Sequence, residues 1–195
     1  MTNIDPRAQA VLDFWFGAPD SAEFGTERKF WWKKKRAFDR MLTERFGALL
    51  DEAQAGGLQS WESEPLATLA LVVLLDQFSR NCHRHTPRAF ASDARALALA
   101  RKLVETGDDL RMPSAFHRAF VYMPFEHDET IESQREAVRL FERLKDDTGV
   151  DSMLGYAREH AEVIERFGRF PHRNRILGRA MSADEEAWLA QHGGF

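Results

Sequence analysis

The sequence contains a single cysteine, Cys82, among its 195 residues. One cysteine excludes an internal disulfide and any cysteine-rich zinc site, and it fits a reducing compartment. The longest apolar run, residues 69–75, is far shorter than the ~20 residues that a transmembrane helix requires. The start of the chain has no basic stretch followed by an apolar core, so no secretory signal is predicted. We therefore expect a cytoplasmic protein with no membrane partner.

An excess of positive charge is also lacking. Lys and Arg number 27 against 31 Asp and Glu, which gives a formal net charge of −4. The broad positive potential of proteins that follow a nucleic-acid backbone is therefore not expected. The glycine motifs of phosphate and dinucleotide sites and the His-Glu-x-x-His metal pattern are absent as well. We predict no nucleic-acid partner, no cofactor and no metal site. A metal could bind only through ligands that lie far apart in the sequence.

Signals for helix ends recur along the whole chain, whereas the alternating pattern of strands is almost absent. Asp5-Pro6, Ser63-Glu64-Pro65 and Thr86-Pro87 are typical helix starts, and residues 182–185 form a capping box. Apolar residues between these signals recur at a period near that of a helix, for example over residues 30–54, where Trp31 and Trp32 would lie on one helix. The sequence predicts an all-α protein of antiparallel helix pairs, forming a single domain over residues 1–195.

Polar side chains interrupt the most apolar helix after Leu75. Asp76 and Arg80 lie four residues apart on one helix face, so they should enter the interior or the floor of a pocket together. They should also pair, because each charge alone costs several kcal/mol to bury. Gln77 and Asn81 extend this polar turn. The pair is interpreted either as an internal salt bridge that fixes helix packing or as a floor from which Arg80 reaches a ligand anion.

A histidine with three carboxylate neighbours occurs at residues 126–129. Such surroundings favour a raised histidine pKa and general acid or base chemistry. Asp128 and Glu129 would equally suit the start of a helix without any function. The candidate site residues are therefore His127 and Glu126, with Glu126 expected to orient the histidine.

A local concentration of positive charge follows near the end of the chain, where five arginines and one histidine fall between residues 166 and 179. Planar guanidinium groups suit carboxylate or phosphate ligands. Each arginine has the alternative of a structural bond to a helix carbonyl or a carboxylate. The candidate ligand-binding residues here are Arg169, His172, Arg173 and Asn174.

Four segments, residues 11–17, 74–81, 126–129 and 167–174, resemble in this order the bacterial family of domain of unknown function 924. The resemblance covers essentially the whole chain. It implies a helical protein of tetratricopeptide-like architecture, arranged as a bundle or a superhelix, and it implies no activity.

The leading functional hypothesis is a helical protein that binds a small anionic molecule or an acidic peptide in a pocket rich in arginine and histidine. The alternative is an enzyme, a hydrolase or transferase, in which His127 is the general acid or base and the arginines hold the substrate. A third interpretation is an internal polar network that specifies helix packing. The oligomeric state does not follow from the sequence.

Overall fold

The computed structural model describes residues 4–194, and within them the regular elements are helical and no strand occurs, which confirms the all-α prediction. The α-helices are α1 Pro6–Phe16, α2 Arg36–Gln54, α3 Pro65–Val72, α4 Ser79–Cys82, α5 Asp93–Glu105, α6 Ala115–His127, α7 Ile131–Thr148, α8 Leu154–Phe167 and α9 Ala183–His192. Short 3-10 turns lie at Gln59–Ser63, Pro87–Phe90, Asp109–Arg111 and Pro171–Arg173.

The centre of the molecule is the continuous helical stretch 65–82. It consists of α3, a π-helical segment Val73–Phe78 and α4. Because Leu69 to Leu75 are almost fully buried, this stretch has no solvent face in its middle. A π-helical segment widens the helix locally, and such segments are frequent at functional sites.

The other helices surround this stretch. α3 packs against α1 and α5, α6 packs against α5 and α7, and α7 packs against α8. Their buried apolar side chains form one cluster that runs from α1 to α8, while a second, smaller cluster joins α8 to Phe170 and Trp188. None of the described helices is both long enough and apolar enough to cross a membrane. The single-domain and tetratricopeptide-like assignments stay predictions.

The predicted start of the second helix is wrong, because α2 begins at Arg36 and residues 30–35 form turns and irregular backbone. Trp31 reaches the core from this turn, with its ring centroid 4.7 Å from that of Phe120 and its indole N–H donating to the Trp15 carbonyl at 3.2 Å. Trp32 is 41% exposed. An irregular backbone lets neighbouring aromatic residues of this segment reach different places, and Lys29, directly before the predicted helix start, is not a capping residue.

Candidate functional site

The π-helical segment carries the buried carboxylate of the site. Asp76 is 1% exposed, and its oxygens lie 2.7 Å and 2.9 Å from Nδ1 of His127 at the end of α6. The Gln77 amide donates to the same carboxylate at 2.6 Å. An ionised carboxylate only accepts hydrogen bonds, so Nδ1 of His127 must carry a proton in this contact.

Arg80 lies one helical turn beyond Asp76 and is held on two sides. Its guanidinium is 3.2 Å from the Asp76 carboxylate, so the predicted ion pair is present. It also binds both carboxylate oxygens of Asp93 in α5, at 2.8 Å and 2.9 Å. Sequence reasoning missed Asp93, since an acidic residue at the start of a helix is ordinary there.

Arg173 reaches the site from the 3-10 turn after α8. It donates to the His127 backbone carbonyl at 2.9 Å and lies 3.6 Å from Asp93. Its guanidinium stacks between the rings of Phe90 and Phe170, at 4.8 Å and 4.5 Å from their centroids. Its Nε is buried and has no hydrogen-bond partner among the described residues.

Glu126 does not orient His127, contrary to the sequence-based expectation. Successive helical residues point about 100° apart, and the Glu126 carboxylate instead lies 3.3 Å from Nδ1 of His160 in α8. Its Oε2 is buried with no hydrogen-bond partner among residues 4–194. His160 was missed, although it shares the helical spacing of the buried Ala157 and Ile164. Its ring centroid is 6.3 Å from that of His127.

Three other predicted residues bind partners outside this cluster. Asn81 donates to Asp39 of α2 at 3.1 Å, and Arg169 binds both oxygens of Glu185 at 2.6 Å and 2.8 Å. Asn174 donates to the same Glu185 at 3.1 Å. These contacts tie elements to one another, as the structural alternative for the arginine-rich segment anticipated.

His172 lies beside the cluster, with its ring centroid 5.6 Å from that of Phe170. Burial and the positive charges of Arg173 and Lys34 lower the pKa of His172 to about 3, so it is neutral at neutral pH. Burial and the charge of Arg80 also lower the pKa of Arg173, to about 10, which leaves this guanidinium charged.

The electrostatics of the Asp76–His127 pair favour an ionised acid and a neutral base. Burial alone would raise the pKa of Asp76, but the Arg80 guanidinium and His127 hold it well below its usual range. Burial, followed by the charge of Arg80, lowers the pKa of His127 against the attraction of Asp76. Burial and the Asp76 charge raise the pKa of Glu126 to about 8, so its carboxyl is protonated at neutral pH.

This arrangement leaves one ring nitrogen available for chemistry. With Nδ1 of His127 bound to Asp76, the lone pair of a neutral ring lies on Nε2. Nε2 makes no hydrogen bond to a described residue, and the His127 side chain is 12% exposed. Within residues 4–194, no group of three or more histidine, cysteine or acidic side chains has a geometry that could hold a metal ion.

Comparison with known proteins places the chain in a family but gives no activity. The family model described as "Bacterial protein of unknown function (DUF924)" matches residues 11–193. A solved structure, that of the protein of unknown function ATU0120 from Agrobacterium tumefaciens, is 36% identical and has a TM-score of 0.80, over 94% of this chain and 96% of that one. No curated protein matches the chain. The chain therefore belongs to the bacterial DUF924 family.

Proposed function

We propose that this protein is an enzyme in which His127 transfers a proton to or from a small anionic substrate, as general base or general acid. The contact between Asp76 and Nδ1 of His127 carries the proposal. A buried carboxylate at this nitrogen fixes the tautomer and the orientation of the ring, and it stabilises the imidazolium that forms when Nε2 takes up a proton.

Catalysis is better supported than binding alone, because carboxylates already engage most of the arginines that a pure anion site would need. Arg80 binds Asp93 and Asp76, and Arg169 binds Glu185. One observation supports the binding hypothesis: the Nε of Arg173 is buried and has no hydrogen-bond partner among the described residues. An anionic substrate beside His127 would supply an acceptor for this N–H.

The local backbone supports the same interpretation. Asp76 lies within the π-helical segment, and such segments recur at functional sites. The segment therefore favours a role for the residue that it positions. The reaction class that fits is hydrolysis or group transfer, since both need one positioned base.

Acylation of histidine by diethyl pyrocarbonate tests the proposal, because this reagent attacks neutral imidazole nitrogen. At neutral pH we expect His127 to be modified at Nε2, as mapped by peptide mass spectrometry. Asp76→Asn should slow this modification severalfold, because the amide no longer stabilises charge on the ring. His192 of α9 is exposed and stacks on Trp188 at 4.9 Å, so its rate serves as the control in both proteins.

Two results would contradict the proposal. If His127 stays unmodified while His192 reacts, the contact between Asp76 and His127 is part of an internal network that only supports helix packing. Equal rates in the native protein and in Asp76→Asn would show that the carboxylate does not tune the base.

A further inference from the structure

A separate groove lies between α1, the turns around residues 23–35 and α2. It consists of two cavities of about 420 Å³ and 440 Å³, which share Arg28, Phe30 and Phe38 in their walls. Each volume falls within the ~300–1,000 Å³ usual for ligand pockets. No residue of the His127 cluster lines either cavity.

The first cavity is lined by positive charge and phenyl rings only. Its walls consist of Arg28, Lys29, Phe30, Lys33, Lys35 and Phe38. The three lysines are exposed, so no burial prevents them from moving onto a ligand. In a chain of net charge −4, four cations without a carboxylate in the same wall create a local attraction for anions.

Arg28 shows unused hydrogen-bonding capacity in this wall. Its side chain is 17% exposed, and one terminal nitrogen lies 2.9 Å from a Glu23 carboxylate oxygen. The other terminal nitrogen is buried and has no hydrogen-bond partner among the described residues. The guanidinium carbon lies 5.2 Å from the Phe30 ring centroid, a distance at which a cation–π contact holds the group beside the apolar wall.

The start of α2 adds to this attraction. Lys35 is its N-cap and gives no side-chain hydrogen bond to the first turn. The free N–H groups of a first turn and the helix dipole favour an anion at this end. Lys35 and Phe38 both line the first cavity, so this end of α2 borders it.

The second cavity adds apolar surface, and two carboxylates, Asp13 and Glu23, line it together with Arg28 and Arg45. Phe14, Phe30, Phe38 and Met41 contribute to its walls. The Phe30 ring centroid lies 5.0 Å from that of Phe38 and 5.9 Å from that of Phe14, so these rings form a continuous surface. Met41 is 37% exposed and lengthens this surface toward solvent.

We propose that this groove binds an amphipathic carboxylate, a molecule with one anionic head and an apolar tail. The head lies between Arg28, Lys33 and Lys35, and the tail lies on Phe30, Phe38 and Met41. Cations next to a continuous apolar wall match this class of ligand better than they match a fully polar anion or an uncharged lipid, since each part of the ligand meets its complement.

Isothermal titration calorimetry with decanoate below its micelle concentration tests the proposal. Decanoate should bind, whereas acetate, which lacks the tail, and decyltrimethylammonium, which reverses the charge, should not. The double variant Lys33→Gln/Lys35→Gln should bind decanoate about tenfold more weakly, since it loses charged hydrogen-bond donors. Lys145→Gln, an exposed lysine of α7, should leave the affinity unchanged.

The position of the ligand is read from methionine methyl signals. Decanoate should shift the signal of Met41 and leave that of the buried Met153 in place. Absence of decanoate binding, equal affinity in the double variant, or a Met41 signal that does not move would each overturn the proposal. Equal binding of decyltrimethylammonium would do the same, because it would show that the cations play no part.

Discussion

At the scale of single residues, two buried carboxyl groups near His127 differ because their surroundings differ. Asp76 is approached by donors from Gln77, Arg80 and His127, so its ionised form is stabilised. The Glu126 carboxyl lies 3.3 Å from His160 and keeps one oxygen without a hydrogen-bond partner among the described residues, and burial together with the Asp76 charge keeps it protonated. Carboxyl groups with opposite ionisation in one cluster are typical of catalytic sites, where each takes a different role.

Glu126→Gln should remove one pH dependence of stability. The pKa of Glu126 is raised from 4.5 to about 8, so between these pH values the folded state holds a proton that the unfolded state has released. Stability supplied by this group is present in full below pH 4.5 and is lost as pH rises toward about 8. Glutamine mimics the protonated acid and does not titrate. We therefore expect the free energy of unfolding of the variant, relative to that of the native protein, to increase with pH across this interval.

Urea unfolding of both proteins over a pH series measures this difference. Glu165→Gln, at an exposed position of α8, provides the reference series. Histidines with a lowered pKa contribute the opposite slope below their ordinary pKa of 6.5, so the comparison is read between pH 6.5 and about 8. A difference that stays constant with pH would mean that Glu126 is ionised when buried.

At the scale of elements, capping residues predicted the starts of α1, α3 and α9. The helix start predicted at Thr86-Pro87 is wrong, because Pro87–Phe90 is a 3-10 turn and α5 begins only at Asp93. Asp5-Pro6 begins α1, with the Asp5 carboxylate accepting from the Arg7 N–H at 2.8 Å, and the capping box begins α9. The prediction failed at Trp31, where periodicity stood alone. The π-helical segment could not be predicted either. The helix before it is apolar on all faces, so its sequence has no alternation of apolar and polar positions that an extra residue in one turn would visibly shift.

The capping box of α9 gives a prediction at this scale. Ser182 accepts from the Glu185 N–H at 3.2 Å, and the Glu185 carboxylate accepts from the Ser182 N–H at 2.7 Å. Ser182→Ala should therefore destabilise α9 by about 1 kcal/mol. Amide hydrogen exchange should become correspondingly faster in α9 and not in the buried α6. Ser152→Ala, at an exposed position before α8, is the control, and unchanged protection of α9 would contradict the role of the cap.

At the scale of the whole molecule, the site exists only because distant elements meet. Asp76 comes from the π-helical segment, Asp93 from α5, His127 from α6, His160 from α8 and Arg173 from the turn that follows it. The sequence allowed Asp76, His127 and Arg173 to be selected, because a polar residue in an apolar helix or an arginine cluster is visible locally. The contacts between side chains from different elements could not be predicted from the sequence. Asp93 and His160 were therefore missed, and Glu126 was predicted to contact His127, whereas it contacts His160.

In this arrangement Asp76 fixes His127 in the tautomer that leaves Nε2 without a proton. Nitrogen-15 NMR of labelled histidine at neutral pH, with His127 assigned by its absence in His127→Gln, tests this claim directly. We expect Nδ1 of His127 to be protonated and Nε2 to be bare, and we expect Asp76→Asn to move the ring toward the opposite tautomer. A His127 ring that carries its proton on Nε2 in the native protein, or on both nitrogens, would show that Nε2 is not the base.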